Sequence, residues 1–239
     1  MGLLDNFINS LLGAFGITKA RLPFKHTDPI VFKSILQQKI DAAAAADKVY
    51  LMIGCVGMRQ ANFLSGGIQG DEHSFYSHIV TMIMGKMAEY MRVKYPFLLN
   101  NKRVPPQAQA GEIIESEADG VDVNSFDKYM NDDYQLHIFG REFSHAEAEA
   151  ILLRAYATVG EPYDYLAIAK HVFGFIPDDF KLKVCSSATV YYFEIVERPA
   201  LPSAKSGFET PAQVHQYLFE NKMWDFFTFN IDTSQGAHV

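Results

Sequence analysis

The sequence predicts an α+β fold. Strand-like segments are followed by capped helices, without the regular strand–helix alternation of a parallel α/β protein. Three observations lead there. Short apolar, β-branched runs occur at residues 49–53, 78–84, 112–117 and 135–139. Two sequences of the capping-box type, Ser144-His145-Ala146-Glu147 and Thr210-Pro211-Ala212-Gln213, open helices. An alanine run, residues 42–46, closes another helix.

In chain order, Leu4, Phe7, Ile8, Leu11, Leu12 and Phe15 recur at helical spacing and predict a short amphipathic helix. Its polar face carries Asp5, Asn6, Asn9 and Ser10 rather than cations, which suits docking on the domain better than membrane binding. Asp28-Pro29, an N-cap followed by proline at the first helical position, starts a helix through residue 46. A buried strand is expected at 49–53, then a Gly-rich loop at 54–71. Residues 86–95 can be helical, whereas Val104-Pro105-Pro106 cannot. The helix after Ser144 should reach about residue 159 and stop at Gly160, with Pro162 beyond. The aromatic tail, 223–231, ends on a strand.

The chain has 239 residues, 49% hydrophobic and 21% charged, enough for a sizeable core. We divide it into an N-terminal helical extension, 1–46, and a main domain, 47–239. A net charge of −7 without a basic stripe argues against a nucleic-acid partner. Cys55 and Cys185 form no CxxC pair, so zinc-ribbon and thioredoxin-like chemistry is unsupported, while a single Cys55–Cys185 bridge stays open. No segment approaches the roughly 20 apolar residues of a membrane span. Asp5 sits where a secretory signal is basic, and Asn6 sits where a myristoylation motif has Ser or Thr. The expectation is a cytoplasmic protein or one delivered by a non-classical route.

Cys185 lies in Lys183-Val184-Cys185-Ser186-Ser187-Ala188, where small hydroxylated residues suit a helix start. A helix N-terminus and a nearby imidazole both favour thiolate, and the free backbone N–H groups there can hold an oxyanion. Alone, such a cysteine is more often a small buried hydrophobe. Three further segments give it partners: Ser77-His78-Ile79-Val80, Ile113-Ile114-Glu115-Ser116 followed by Gly120-Val121, and Gly160-Glu161-Pro162-Tyr163-Asp164.

In this order the four segments resemble the circularly permuted NlpC-type papain-like enzymes, including the YiiX-like group, over about residues 47–220. That resemblance implies a strand histidine (His78), a strand glutamate before Gly-Val (Glu115), a G-x-P-Y-D turn and a nucleophile in Cys-Ser (Cys185-Ser186). It also implies a small antiparallel barrel with the cysteine on a packed helix. Thr210-Pro211 matches the helix start that follows the core in that group. Segments 54–77 and 85–110 exceed the family's usual connections, and Val190-Tyr191-Tyr192-Phe193 is β-prone where the family has its cysteine-bearing helix.

The implied roles are Cys185 as nucleophile, His78 as proton carrier, Glu115 as orienter of the imidazole, and Tyr163 and Ser186 at the substrate carbonyl. Glu117 shares a strand face with Glu115 and competes for its role. A metal site on His73, His78 and a carboxylate is the weaker alternative, and no cofactor is expected. His145 lies in a helix cap and is read as structural. The expected activity is amide hydrolysis on peptide-like or cell-wall-peptide substrates through a thioester. Lipid acyl transfer or thioester hydrolysis, and a non-catalytic binding role, are the alternatives. Protein or weak membrane docking through the N-terminal helix is the further partner expectation.

Overall fold

The computed structural model describes residues 22–59, 75–83, 86–97, 112–117, 119–162, 185–196 and 210–235. The amphipathic segment at 4–15, His73 and Tyr163 lie outside the described residues. The fold is mixed α+β: a six-stranded antiparallel sheet in the order β4-β3-β2-β1-β5-β6, with helices on both faces.

Helix α1, Pro29–Ala45, is capped by Asp28, whose carboxylate accepts from the backbone N–H groups of Ile30 and Val31. This satisfies two of the donors a helix start leaves unpaired. Its Phe32, Leu36 and Ala43 are buried on one sheet face with Met52, Val80, Ile113, Leu136 and Phe229. Each large side chain so buried contributes about 1.5–3 kcal/mol relative to exposure.

Strand β1, Val49–Met58, is twice as long as its apolar run suggests, because it continues through Gly54 and Gly57. Those positions read as loop in the sequence. In the fold a Cβ on Gly57 would meet the ring of buried Phe75, so the missing side chain lets an aromatic lie against the strand. Strand β2, His78–Ile83, pairs with β1 and with β3, Glu112–Glu117. Between them runs α2, Lys86–Lys94, whose Arg92 makes a buried ion pair with Glu112. Tyr156 donates a 2.6 Å hydrogen bond to the same carboxylate.

Strand β4, Gly120–Ser125, has no counterpart in the sequence reading. It forms a tight hairpin with β3, Glu117 facing Gly120, and Gly120 supplies the positive φ of 118° at the turn. A 3₁₀ turn, Phe126–Tyr129, follows. Strand β5, Tyr134–Phe143, extends past the expected 135–139 at both ends and pairs along the whole of β1.

Helix α3, His145–Ala157, forms the capping box that its sequence predicts. Helix α4, Cys185–Phe193, replaces the β-prone reading of residues 190–193. Its Ala188, Val190, Tyr192 and Phe193 are buried against the second sheet face, among Ile79, Ile114, Ile151 and Leu152. Burial of that face outweighs the weak local preference for strand. Helix α5, Pro211–Glu220, has the second capping box, and β6, Asp225–Phe229, completes the sheet beside β5. Among the described residues, no helix is long and apolar enough to cross a membrane.

Candidate active site

Cys185 is the first residue of α4 and is buried. The helix is held in place from two sides. Thr189 meets Thr81 of β2 at 3.4 Å between hydroxyls, and Tyr192 meets Thr158 at 2.7 Å. Arg154 of α3 adds a 2.9 Å bond to the carbonyl of Tyr191. The N–H groups that a helix start leaves without a partner inside the helix begin at the sulfur-bearing residue. Ser186, next in the turn, is buried.

His78 opens β2, directly across from Val56 of β1. Its Nε2 lies 2.9 Å from Oε2 of Glu115. Cys185 lies near enough to the ring to act on its titration, and with Nε2 taken by Glu115, Nδ1 is the nitrogen left for the sulfur. Burial pulls the imidazole's pKa down. Cys185 beside it, through charge and hydrogen bond, and then the Glu115 carboxylate outweigh burial and push it up to about 10. Three side chains from separate segments therefore form one chain of contacts: thiol, imidazole, carboxylate.

Glu115 is inaccessible to solvent at its side chain. Its two oxygens accept four bonds. Oε2 takes His78 and the Tyr129 hydroxyl; Oε1 takes Lys128 at 2.6 Å and Asn124 at 2.8 Å. Burial alone would raise its pKa, but His78 and Lys128 outweigh burial and bring it down to about 2. Glu115, not Glu117, is the carboxylate bonded to the imidazole. Glu117 instead holds Lys128 at 2.6 Å.

The ligand-capable atoms of His78, Glu115 and Glu117 lie within 4.8 Å of one another, a grouping that by itself suits a cation. Lys128 already bridges both carboxylates with its ammonium, so the protein supplies that positive charge itself. His145 is exposed at a helix start, 3.4 Å from Asp47 and away from this chain of contacts.

The sequence motifs meet as well. Val121 donates to the carbonyl of Glu161 at 2.9 Å, and Gly160 donates to the carbonyl of Val121 at 2.8 Å. The Gly-Val pair after Glu115 and the start of the G-x-P-Y-D turn are thus joined by two backbone bonds.

Sequence reasoning missed Asn124, Lys128 and Tyr129. They come from β4 and the 3₁₀ turn, and only the hairpin return brings them to Glu115. It also missed a buried cluster between the sheet and α5. There His137 Nδ1 lies 2.7 Å from His215 Nε2 and contacts the Tyr76 hydroxyl. The two imidazole planes lie within 24° of each other with centroids 5.0 Å apart, the geometry of an in-plane N–H···N bond. Burial, and for His137 also its neighbour, lowers their pKa values to about 3 for His137 and about 4 for His215. Both rings are neutral at pH 7.

No protein-family model and no curated protein matches this chain.

Proposed function

We propose that the chain is a cysteine hydrolase of the circularly permuted NlpC, papain-like type, cleaving amide bonds in peptide-like substrates through a thioester. The observation that carries this reading is the convergence of Cys185 at a helix N-terminus with the His78–Glu115 pair. Nothing local in the chain forces these three segments together, and each has the residue type that acyl transfer requires.

In the proposed cycle the Cys185 thiolate attacks the substrate carbonyl carbon. A C–S bond forms and the carbonyl electron pair moves to oxygen, which the N–H groups of the first turn of α4 stabilise. As the intermediate collapses, the C–N bond breaks and His78 gives its proton to the departing amine. Water then attacks the thioester, His78 takes its proton, and the C–S bond breaks to release the acid. Glu115 holds the His78 ring throughout, as imidazolium and as neutral imidazole, and keeps its own four bonds.

The test offers muropeptides and acyl-amino-acid amides to the full chain and follows amine release together with the intact mass of the protein. Amine release with a transient acyl mass on Cys185, both lost in Cys185→Ser, is the expected result. Turnover confined to esters or lipids in vesicles would shift the reading to acyl transfer, and absence of any acyl adduct would contradict a nucleophilic role.

A further inference from the structure

The geometry points to Lys128 as a positioning residue of the proposed hydrolase: its ammonium, seated between Glu115 and Glu117, keeps Glu115 ionised and aimed at His78. The inference rests on the reading of Cys185 and His78 given above, but concerns a residue outside the triad.

Strand alternation puts Glu115 and Glu117 on one face of β3. Two carboxylates in such proximity tend to share a proton, which raises one pKa strongly. A carboxyl sharing its proton is a poor support for an imidazolium, because its charge is partly lost and its oxygen is partly a donor. Lys128 Nζ lies 2.6 Å from Oε1 of Glu115 and 2.6 Å from Oε2 of Glu117, so one cation serves both anions. The 3₁₀ turn that carries Lys128 is fixed at its start by Ser125, whose hydroxyl accepts from the Asp127 N–H at 3.2 Å. The next residue, Tyr129, reaches the other oxygen of the same carboxylate.

The charges about Glu115 are therefore arranged by element. His78 of β2 and Lys128 of the turn are cationic. Glu117 of β3 holds the other side of the same ammonium, and Asp122 is the register partner of Glu115 on β4. Tyr129 and Tyr134 face it as neutral phenols, their ionisation pushed up by burial. Beyond His78 stands Cys185, giving an alternating series Glu117, Lys128, Glu115, His78, Cys185. Removing the ammonium leaves Glu115 beside Glu117 with His78 as its remaining cation in this series.

The experiment measures iodoacetamide alkylation of Cys185 from pH 4 to 9, by peptide mass spectrometry, in the full chain. It compares the native protein with K128M, K128R and K128M/E117Q. The native rate is expected to hold down to the acid end. In K128M the acid limb moves up by about two pH units, into the measured range, so that the rate near pH 4 falls roughly tenfold. K128R is expected to restore it to within about threefold, because a guanidinium also bridges two carboxylates. K128M/E117Q recovers most of the loss, since the second carboxylate charge has gone with the cation.

A K128M profile that follows the native one overturns the inference, as does a double variant no better than K128M, which marks Lys128 as merely structural. Native Cys185 that reacts no faster than Cys55 overturns the hydrolase reading itself, and this inference with it, before any variant is compared.

Discussion

Glu115 is a buried carboxylate whose two oxygens are filled by four donors, and that saturation defines its role. With every lone pair engaged it acts as an acceptor and does not carry protons. It holds His78 by Nε2, which in the proposed hydrolase leaves Nδ1 to exchange a proton with sulfur. Replacing it by glutamine keeps the shape, but offers a donor where His78 and Tyr129 also donate. Glu115→Gln is expected to lower kcat on any amide substrate by about 10²–10⁴-fold, in line with the loss of the third member of a triad. A loss under threefold, or one confined to KM, would place Glu115 outside the proton-transfer step. His78 and Glu115 were legible in the sequence because each lies in a short motif and the motifs keep their order. Lys128, Tyr129 and Asn124 were not, because nothing in Asn124-Ser125-Phe126-Asp127-Lys128-Tyr129 marks a partner nine or more residues upstream. His137 and His215 carried no signal either, since an imidazole within an apolar strand or helix reads as ordinary core.

At the scale of elements, capping chemistry was the most readable feature. Both capping boxes and the Asp28-Pro29 start form as their residues dictate, because these hydrogen bonds are local. Strand ends were less readable, since they depend on what lies across the sheet. Gly54 and Gly57 carry weak strand preference, yet β1 runs through both because β2 and β5 pair with it on either side. Helix α4 shows the same override in the other direction: Val190 to Phe193 favour strand, but four buried side chains and three bonds to neighbouring elements keep them helical. Gly57→Ala tests the close approach of Phe75. With a buried ring in the path of the new Cβ, urea unfolding is expected to show a loss of about 1–3 kcal/mol. A change within about 0.5 kcal/mol would mean that Phe75 has room to move. Ser144→Ala, which removes one half of a capping box, is expected to cost about 1 kcal/mol in the same assay.

For the whole molecule, the buried ionisable groups set how stability varies with pH. His137 and His215 have folded pKa values below the unfolded value of 6.5, so the unfolded chain binds more protons as pH falls. Their contribution is complete above about pH 6.5 and declines towards pH 4 and 3. Glu115, lowered to about 2, adds a loss as pH falls from its ordinary 4.5. His78 behaves oppositely: raised to about 10, its contribution is complete below about pH 6.5 and is lost as pH climbs towards 10. Stability is therefore expected to peak between about pH 6 and 7. The drop from pH 7 to 4.5, measured by urea unfolding, should shrink in a His137→Gln/His215→Leu variant whatever its stability at pH 7. An undiminished drop would assign the acid sensitivity elsewhere.

The architecture also places the thiols differently. Cys55 is fully buried in the middle of β1, with burial and then the nearby Cys185 pushing its pKa well up, whereas Cys185 opens a helix beside His78. The central claim is that this placement makes Cys185 a nucleophile. Its most direct measurement is the rate of alkylation of each cysteine by iodoacetamide at pH 6–7, resolved by peptide mass spectrometry in the native protein and in His78→Ala. The account predicts that Cys185 is modified at least about tenfold faster than Cys55, and that His78→Ala removes the advantage. Equal rates in the native protein, or an advantage that survives loss of the imidazole, would contradict it.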